Sequence, residues 1–482
     1  MADRLTYTQT NRFWLLLFAC YYAFHVCYRI MLGGALGLDE SQTILDAQHF
    51  ALGYGPQPPL YAWLQRLVFL IFGDNLFSMT LFKNSLLFGT VAGAFLVIRQ
   101  FADARVAGMS AAGLILLHQI SWESQRDLSH SVITAFFAIW SVVALARVLR
   151  KPDWLSFALL GVVVGLGCLS KYNYIVFAAA LFLAAFSLPK ARKLLFQNKL
   201  FLSLVLLAGI VAPHLYWVLD HVSFALSSSG KFQIESQIGV VTALQGIGSE
   251  LAAVASFSAL LILVTGGLFW RYRTVPAPEK REMPLLISVL WRAMLIGLAL
   301  IAIGVVASGA TNVKDRWLIP NLIWIAPLTV FWLCQWISGI GMRRLLQIYG
   351  VLAILVIIGL PVHIYGPGSR RAAPFADIAQ SLNNQIPAND ALIAPNWTAG
   401  NLFLTAQRPV YRHEDLKGRA FDVPMIFVWK GQDPNAPAGF VKRRFKGWTY
   451  DPDKIATLRA PYVFDQDNDF VLSYVRLLPP EN

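Results

Sequence analysis

Hydrophobic residues fall along this chain in runs of about 17–22, close to what a helix needs to cross a bilayer core, and polar residues are confined to short islands between them. The pattern predicts eleven spans: Phe13–Leu32, Leu76–Ile98, Val106–Ile120, Ser131–Val148, Trp154–Leu169, Tyr174–Leu188, Leu200–Leu219, Leu251–Trp270, Leu285–Ala307, Leu318–Ile337 and Leu345–Ile364. Basic residues gather at every second turn: Arg4 and Arg12, Arg99 and Arg105, Arg147 to Lys151, Lys190 to Lys193, Arg271 to Arg281, and Arg343 with Arg344. By the positive-inside rule those turns and the N-terminus face the cytoplasm, and the alternate turns face outward. No small-residue cleavage site follows the first run, so it reads as a retained helix and not a removed signal peptide.

Residues 366–482 break this pattern. Proline, aspartate, asparagine and arginine become frequent and no spanning run remains. Pro374–Gln385 reads as a helix, and Ala391–Ala394, Met425–Trp429 and Phe470–Leu477 read as short strands. The expected organisation is an α-helical polytopic membrane module over residues 1–365, with an outward loop at 33–75. A small α/β domain over 366–482 follows on the same outward side.

Composition supports the membrane class. Of 482 residues, 56% are hydrophobic and only 14% charged, against roughly 25% charged in soluble domains. The net charge of +13 sits mostly in short turns between runs, which serves topology and anionic lipid; no nucleic-acid partner is expected. Cys20, Cys27, Cys168 and Cys334 all lie inside apolar runs, and no disulfide framework or zinc spacing is visible.

Residues able to do polar chemistry are concentrated on four outward islands. The first, Leu38–Trp63, carries Asp39, Glu40, Asp46 and His49, then Gln57-Pro58-Pro59-Leu60-Tyr61. Asp39, Thr43 and Asp46 are spaced to share one face of a helix starting near Asp39. The bland alternatives are N-capping for Asp39 and a helix-dipole interaction for Glu40. The second island is Ser121–Asp127, where Asp127 pairs with Arg126 or caps the next helix if it has no chemical role. The third, Ser170-Lys171-Tyr172-Asn173, places a lysine outside, where snorkelling to lipid phosphate is the alternative to binding substrate. The fourth is Asn312–Trp317, with Lys314 and Arg316. Acids Asp39, Glu40 and Asp127 facing cations Lys171, Lys314, Arg316 and Arg126 would suit displacement of a phosphate leaving group. Cations neutralise the departing phosphate while a carboxylate takes the proton of the attacking hydroxyl. No P-loop, Rossmann glycine pattern, Ser/His/Asp signature or HExxH is present. The Asp220–Glu250 stretch, with its Ser227–Gly230 run, reads as a mobile outward loop.

The Asp39-Glu40 pair after the first span, the Pro58-Pro59-Leu60-Tyr61 segment about twenty residues on, and the Ser170-Lys171-Tyr172 turn together resemble the dolichyl-phosphate-mannose-protein mannosyltransferase-like family. Its fold is GT-C, and it includes bacterial lipid A aminoarabinose transferases and lipopolysaccharide galacturonosyltransferases. The likeness covers roughly residues 10–330 in order and topology. It implies an inverting glycosyltransferase that takes a sugar from a polyprenyl-phosphate carrier on the periplasmic face of the inner membrane and delivers it to lipid A, lipopolysaccharide core or a related glycolipid. On this resemblance Asp39 matches the first-loop acid, Glu40 completes the acidic pair, and Asp127 matches a second acid. Lys171 takes the donor phosphate, with Arg126, Lys314 and Arg316 beside it. Asp46, His49, Gln57 and Tyr61 belong to the substrate loop. Aminoarabinose transferases usually carry lysine before the Pro-Pro; here it is Gln57, which favours a uronic acid or hexose.

No cofactor is expected. Asp39, Glu40, Asp127 and His49 offer hard ligands for a divalent metal, but no spacing requires one. Two other functions fit the same pattern. A protein O-glycosyltransferase differs only in its acceptor. A flippase of lipid-linked sugar would place charges near the midplane or in repeated halves, not at one mouth.

Overall fold

The computed structural model describes residues 2–227, 229–235, 239–274, 283–412, 423–445 and 447–480. Ser228 of the Ser227–Gly230 run, and Lys280 and Arg281 of a basic turn, fall outside them.

Helix length decides which apolar runs cross. Among the described residues seven helices are long and apolar enough: Asn11–Leu32, Leu76–Ile98, His130–Arg150, Leu200–Asp220, Val240–Tyr272, Leu285–Ser308 and Gly339–Tyr365. Two more arise if each bent pair is one span. Tyr174–Ser187 turns by 112° into Pro189–Leu195, and Asp315–Leu322 turns by 59° into Ile325–Leu333. The first bend has a local cause: Leu188, directly before Pro189, is extended at φ −104° and ψ 115°, because proline disfavours the helical region for its predecessor. The eleven runs thus yield seven to nine helices of spanning length. The other two are the shorter helices Ala104–Leu116 and Trp154–Cys168. Fifteen residues in the latter rise only about 22 Å, below the ~30 Å hydrocarbon core.

The chain folds as two compact units. One comprises Met1–Val26, Ala51–Trp63 and Leu81–Val356; the other comprises Cys27–Phe50, Leu64–Thr80 and Ile357–Asn482. The N-terminal elements are α1 (Ala2–Leu32), α2 (Leu38–Asp46), α3 (Leu60–Phe72), α4 (Leu76–Ile98) and α5 (Ala104–Ala112).

In the first unit, helices pack through small residues. On Trp154–Cys168, a Cβ at Gly161 would lie 2.4 Å from the Ser203 carbonyl oxygen, and one at Gly165 would lie 3.2 Å from Leu207 Cα. The Ser203 hydroxyl donates to the Phe157 carbonyl at 2.6 Å. This is the small-xxx-small contact that lets membrane helices bring backbones together. Gly161→Val is expected to force the pair apart and cost about 1–3 kcal/mol, read as a lower thermal midpoint in detergent; an unchanged midpoint would mean the helix pair yields freely.

The second unit is built on a five-stranded sheet of order β2-β1-β3-β5-β4, with β1 Ala391–Ala394, β2 Val410–Arg412, β3 Met425–Lys430, β4 Ala456–Tyr462 and β5 Asp465–Leu477. β1 runs parallel to β2 and β3; β5 runs antiparallel to β3 and β4. Alternating side chains bury both faces. Leu392, Ile426, Leu472 and Phe470 pack with Ile44 and Leu45 of α2 and with Leu402. Ile393, Phe427, Val475 and Phe440 form the opposite core. The helix at Phe375–Gln385 and strands β1 and β3 follow the sequence expectation closely, while β5 ends where expected at Leu477 but begins at Asp465, ahead of the expected Phe470. β2 and β4 do not show in the pattern: β2 is three residues long, and β4 carries Pro461 at a register irregularity on the sheet edge, where proline is tolerated.

Candidate active site

The second unit holds the acidic loop. Gly33 and Gly34 sit at φ +57° and +78°, and a Cβ on Gly34 would lie 2.7 Å from the Arg371 carbonyl oxygen. Only glycine fits that combination of backbone angle and approach. The segment is stitched down residue by residue. Ala35 N–H donates to Arg371 O at 2.8 Å, Leu36 N–H donates to Asn401 Oδ1 at 2.7 Å, and the Trp397 indole donates to Leu36 O at 2.7 Å.

α2 begins after Gly37, which is its N-cap. The capping alternative for Asp39 is therefore corrected: Asp39 is the second residue of the helix and half-buried. Glu40, at the third position, closes the helix start by accepting from Gly37 N–H at 3.0 Å. The same carboxylate oxygen meets Arg371 Nη1 at 2.7 Å and Arg29 Nη2 at 3.3 Å, and all three side chains are at most 7% exposed. Arg29 also donates to the Gly33 carbonyl. Two buried guanidiniums thus grip one carboxylate. The set braces the start of α2 through a single oxygen of Glu40.

Asp46, at the far end of α2, is likewise engaged. It pairs with Arg412 Nη2 at 2.8 Å and is 1% exposed; Gln42 donates to its other oxygen at 3.2 Å. His49 lies beyond the helix and is exposed.

The first unit holds the remaining sequence-predicted residues. Gln57 accepts Tyr54 N–H on its carbonyl at 3.3 Å, closing a turn around Gly55 at φ +69°. Tyr61 is 2% exposed, with its ring 5.2 Å from His130 and 5.1 Å from Phe82. Leu60 N–H donates to Leu169 O at 3.1 Å, joining the Pro-Pro segment to the start of the Ser-Lys-Tyr turn.

The Ser121–Asp127 island is not a simple turn. Gln119–Glu123 forms a π-helical turn, a distortion frequent at functional sites. The Ser124 hydroxyl caps Gln119 O at 2.7 Å, and Gln125 donates to Asn84 Oδ1 at 2.9 Å. Arg126 pairs with Glu123 at 2.6 Å. The next helix has Ser129 at its N-cap position, two residues after Asp127.

In the Ser-Lys-Tyr turn, Lys171 Nζ donates to Ser131 Oγ at 2.9 Å and is half-buried. This is a protein-held ammonium, not a snorkelling one. Asn173 Nδ2 donates to Trp317 O at 2.7 Å, tying the turn to the Lys314–Trp317 segment. That segment is held by Asp315, which meets His118 Nε2 at 3.1 Å and Gln119 Nε2 at 2.9 Å. Within this unit the structure connects Tyr61, Lys171 and the Lys314–Arg316 segment through backbone and side-chain bonds.

Asp39, Glu40, Asp46 and His49 belong to one unit, and Gln57, Tyr61, Arg126, Asp127, Lys171, Lys314 and Arg316 to the other. Among the described residues no three His, Cys, Asp or Glu side chains gather closely enough to hold a metal ion. Sequence reasoning missed Arg371, Arg412, Asn401, Ser131, His118 and His214. Arg29 had a signal: a charge inside an apolar run marks function or pairing by default.

Residues 56–217 match the family described as dolichyl-phosphate-mannose-protein mannosyltransferase. The chain is 29% identical to the lipopolysaccharide core galacturonosyltransferase RgtB of Rhizobium johnstonii, over 96% of this chain and 97% of that one. It is 28% identical to the core galacturonosyltransferase RgtA of the same organism, over the same shares. Its fold is that of ArnT from Cupriavidus metallidurans, crystallised with undecaprenyl phosphate: TM-score 0.62 at 12% identity, over 96% of this chain and 98% of that one.

Proposed function

We propose, for a chain that is a GT-C glycosyltransferase of the dolichyl-phosphate-mannose-protein mannosyltransferase-like family, that it moves a uronic acid from a polyprenyl-phosphate carrier to lipopolysaccharide core. The observation that carries the reading is the bracing of α2, which sets Asp39 on a helix whose start is fixed by Glu40 between Arg29 and Arg371. The full-length likeness to core galacturonosyltransferases supports the choice of sugar and acceptor.

In this reading the acceptor hydroxyl attacks the anomeric carbon as the bond from that carbon to the phosphate oxygen breaks, inverting the centre. Asp39 accepts the hydroxyl proton. Lys171 holds the donor phosphate, which is anionic both before and after the bond breaks, and Lys314 and Arg316 are the cations for the charge that develops as it departs. Glu40 positions Asp39, Asp46 braces the loop, and Arg126 with Glu123 braces the π turn beside Asp127. His49, Gln57 and Tyr61 line the substrate loop. The chain is a multi-pass membrane protein, and the reading places it in the inner membrane with the acidic loop and the α/β domain on the periplasmic side. No metal enters the step.

Mass profiling of envelope glycolipids from cells with and without this protein tests the reading, with Asp39→Asn as the point control. The expected result is loss of one uronic acid mass from the core, or from lipid A if that is the acceptor, reproduced by the variant and insensitive to chelator in purified form. An unchanged glycolipid profile with accumulating polyprenyl-phosphate sugar would reassign the acceptor to protein. No change in either would favour a flippase, and activity lost on chelation and restored by one divalent ion would overturn the metal-free step.

A further inference from the structure

We infer that His214 is a positioning residue for donor binding: it locks the Ala51–Gln57 loop to the Ser170–Asn173 turn and so fixes the place of the Lys171 ammonium. The inference rests on the reading of Lys171 as a phosphate ligand. His214 lies on the Leu200–Asp220 helix and is 4% exposed. Its two ring nitrogens reach two different segments: Nδ1 is 2.6 Å from Leu52 O and Nε2 is 3.3 Å from the Tyr172 hydroxyl. Burial raises the pKa of Tyr172, so its hydroxyl stays protonated and donates. The arrangement that satisfies every atom is a neutral imidazole, accepting from Tyr172 at Nε2 and donating from Nδ1–H to Leu52 O.

Ring stacking extends the lock. Tyr172, His214, Trp217 and His221 form a ladder with centroids 5.8, 5.9 and 4.7 Å apart and interplanar angles of 21°, 15° and 6°. The loop lies flush on it. A Cβ at Gly53 would come within 2.3 Å of the Trp217 ring, and one at Gly55 within 3.3 Å of Phe224. Gly53 is therefore the contact that lets the loop backbone reach Trp217, and Leu52, one residue earlier, delivers the carbonyl that His214 binds.

Tyr172 follows Lys171 directly, so holding the tyrosine holds the lysine backbone, while Ser131 holds its tip. A lysine meets a phosphate as a point charge. Moving that charge weakens ground state and transition state alike, which raises KM and leaves kcat. A merely structural histidine would show no such split.

The test is steady-state transfer by the purified full-length protein, using polyprenyl-phosphate-linked sugar as the varied substrate. His214→Asn keeps the donor near Nδ1 and removes the Tyr172 partner; Tyr172→Phe removes the same bond with packing intact. Each is expected to raise donor KM by about tenfold with kcat within about twofold and with little change in thermal midpoint. Lys171→Met should raise donor KM at least as much, and the His214→Asn/Lys171→Met double should match Lys171→Met alone. Multiplying effects in the double would make the two residues independent and overturn the inference, as would an unchanged KM in Tyr172→Phe. A fall in kcat with KM constant would overturn it too. If Lys171→Met itself leaves KM unchanged, the phosphate reading fails first and the inference with it.

Discussion

Asp39→Asn is expected to lower kcat by about 10²–10⁴-fold, the usual worth of a positioned general base, while the protein expresses and unfolds nearly as the parent does. The structural reason for expecting intact folding is that Asp39 is not the N-cap. Gly37 occupies that position and Glu40 satisfies its N–H at 3.0 Å. Asparagine also removes one negative charge near a helix N-terminus, a contribution of about 0.3–1 kcal/mol. Measurement of kcat with the thermal midpoint on one preparation separates the two roles. Near-normal turnover with a slightly lowered midpoint would leave Asp39 as a helix-dipole partner and move the search for a base elsewhere, first to Asp127.

The second large effect is on stability. Glu40→Ala leaves Arg29 and Arg371 buried together without their carboxylate, and breaking a buried ionic set from one side costs about 3–5 kcal/mol. The loss should appear as a lower midpoint and as faster proteolysis of the loop around Gly33–Gly37, whose backbone those arginines and Asn401 hold. A triple replacement, Arg29→Met with Glu40→Leu and Arg371→Met, should recover most of that stability, because apolar groups of similar volume often match a buried ion set. Transfer should not recover with it if the ion set also aims Asp39. Full activity in a stable triple variant would reduce the arginines and Glu40 to packing.

Much of the architecture was legible in the residues themselves. Runs of apolar side chains mark spanning helices because a bilayer offers the backbone no hydrogen-bond partner except itself, and Leu76–Ile98 matches the expected bounds to the residue. The change of composition near residue 366 marked the α/β domain for the same reason, since no bilayer-length apolar run remains there. The acidic loop and the Ser-Lys-Tyr turn stood out because polar residues are scarce elsewhere in the chain. The limits were physical as well. The third run looks like a span, yet it breaks into a 3-10 turn at Gly113–Leu116 and a π turn at Gln119–Glu123; which hydrogen-bond spacing a helix adopts depends on partners such as Gln119–Asp315 and Gln125–Asn84.

The sequence by itself determined the class of molecule, the positions of its polar islands and which residue types they offer, since those follow from local hydrophobicity and spacing. Only the tertiary structure decided the roles within the islands. The arginines that hold Glu40 and Asp46 were out of sight along the chain: Arg371 lies 331 residues from Glu40 in sequence and Arg412 stands on a strand too short to read. A carboxylate's task is set by the charges that surround it in the low dielectric of the fold, and those arrive from distant parts of the chain.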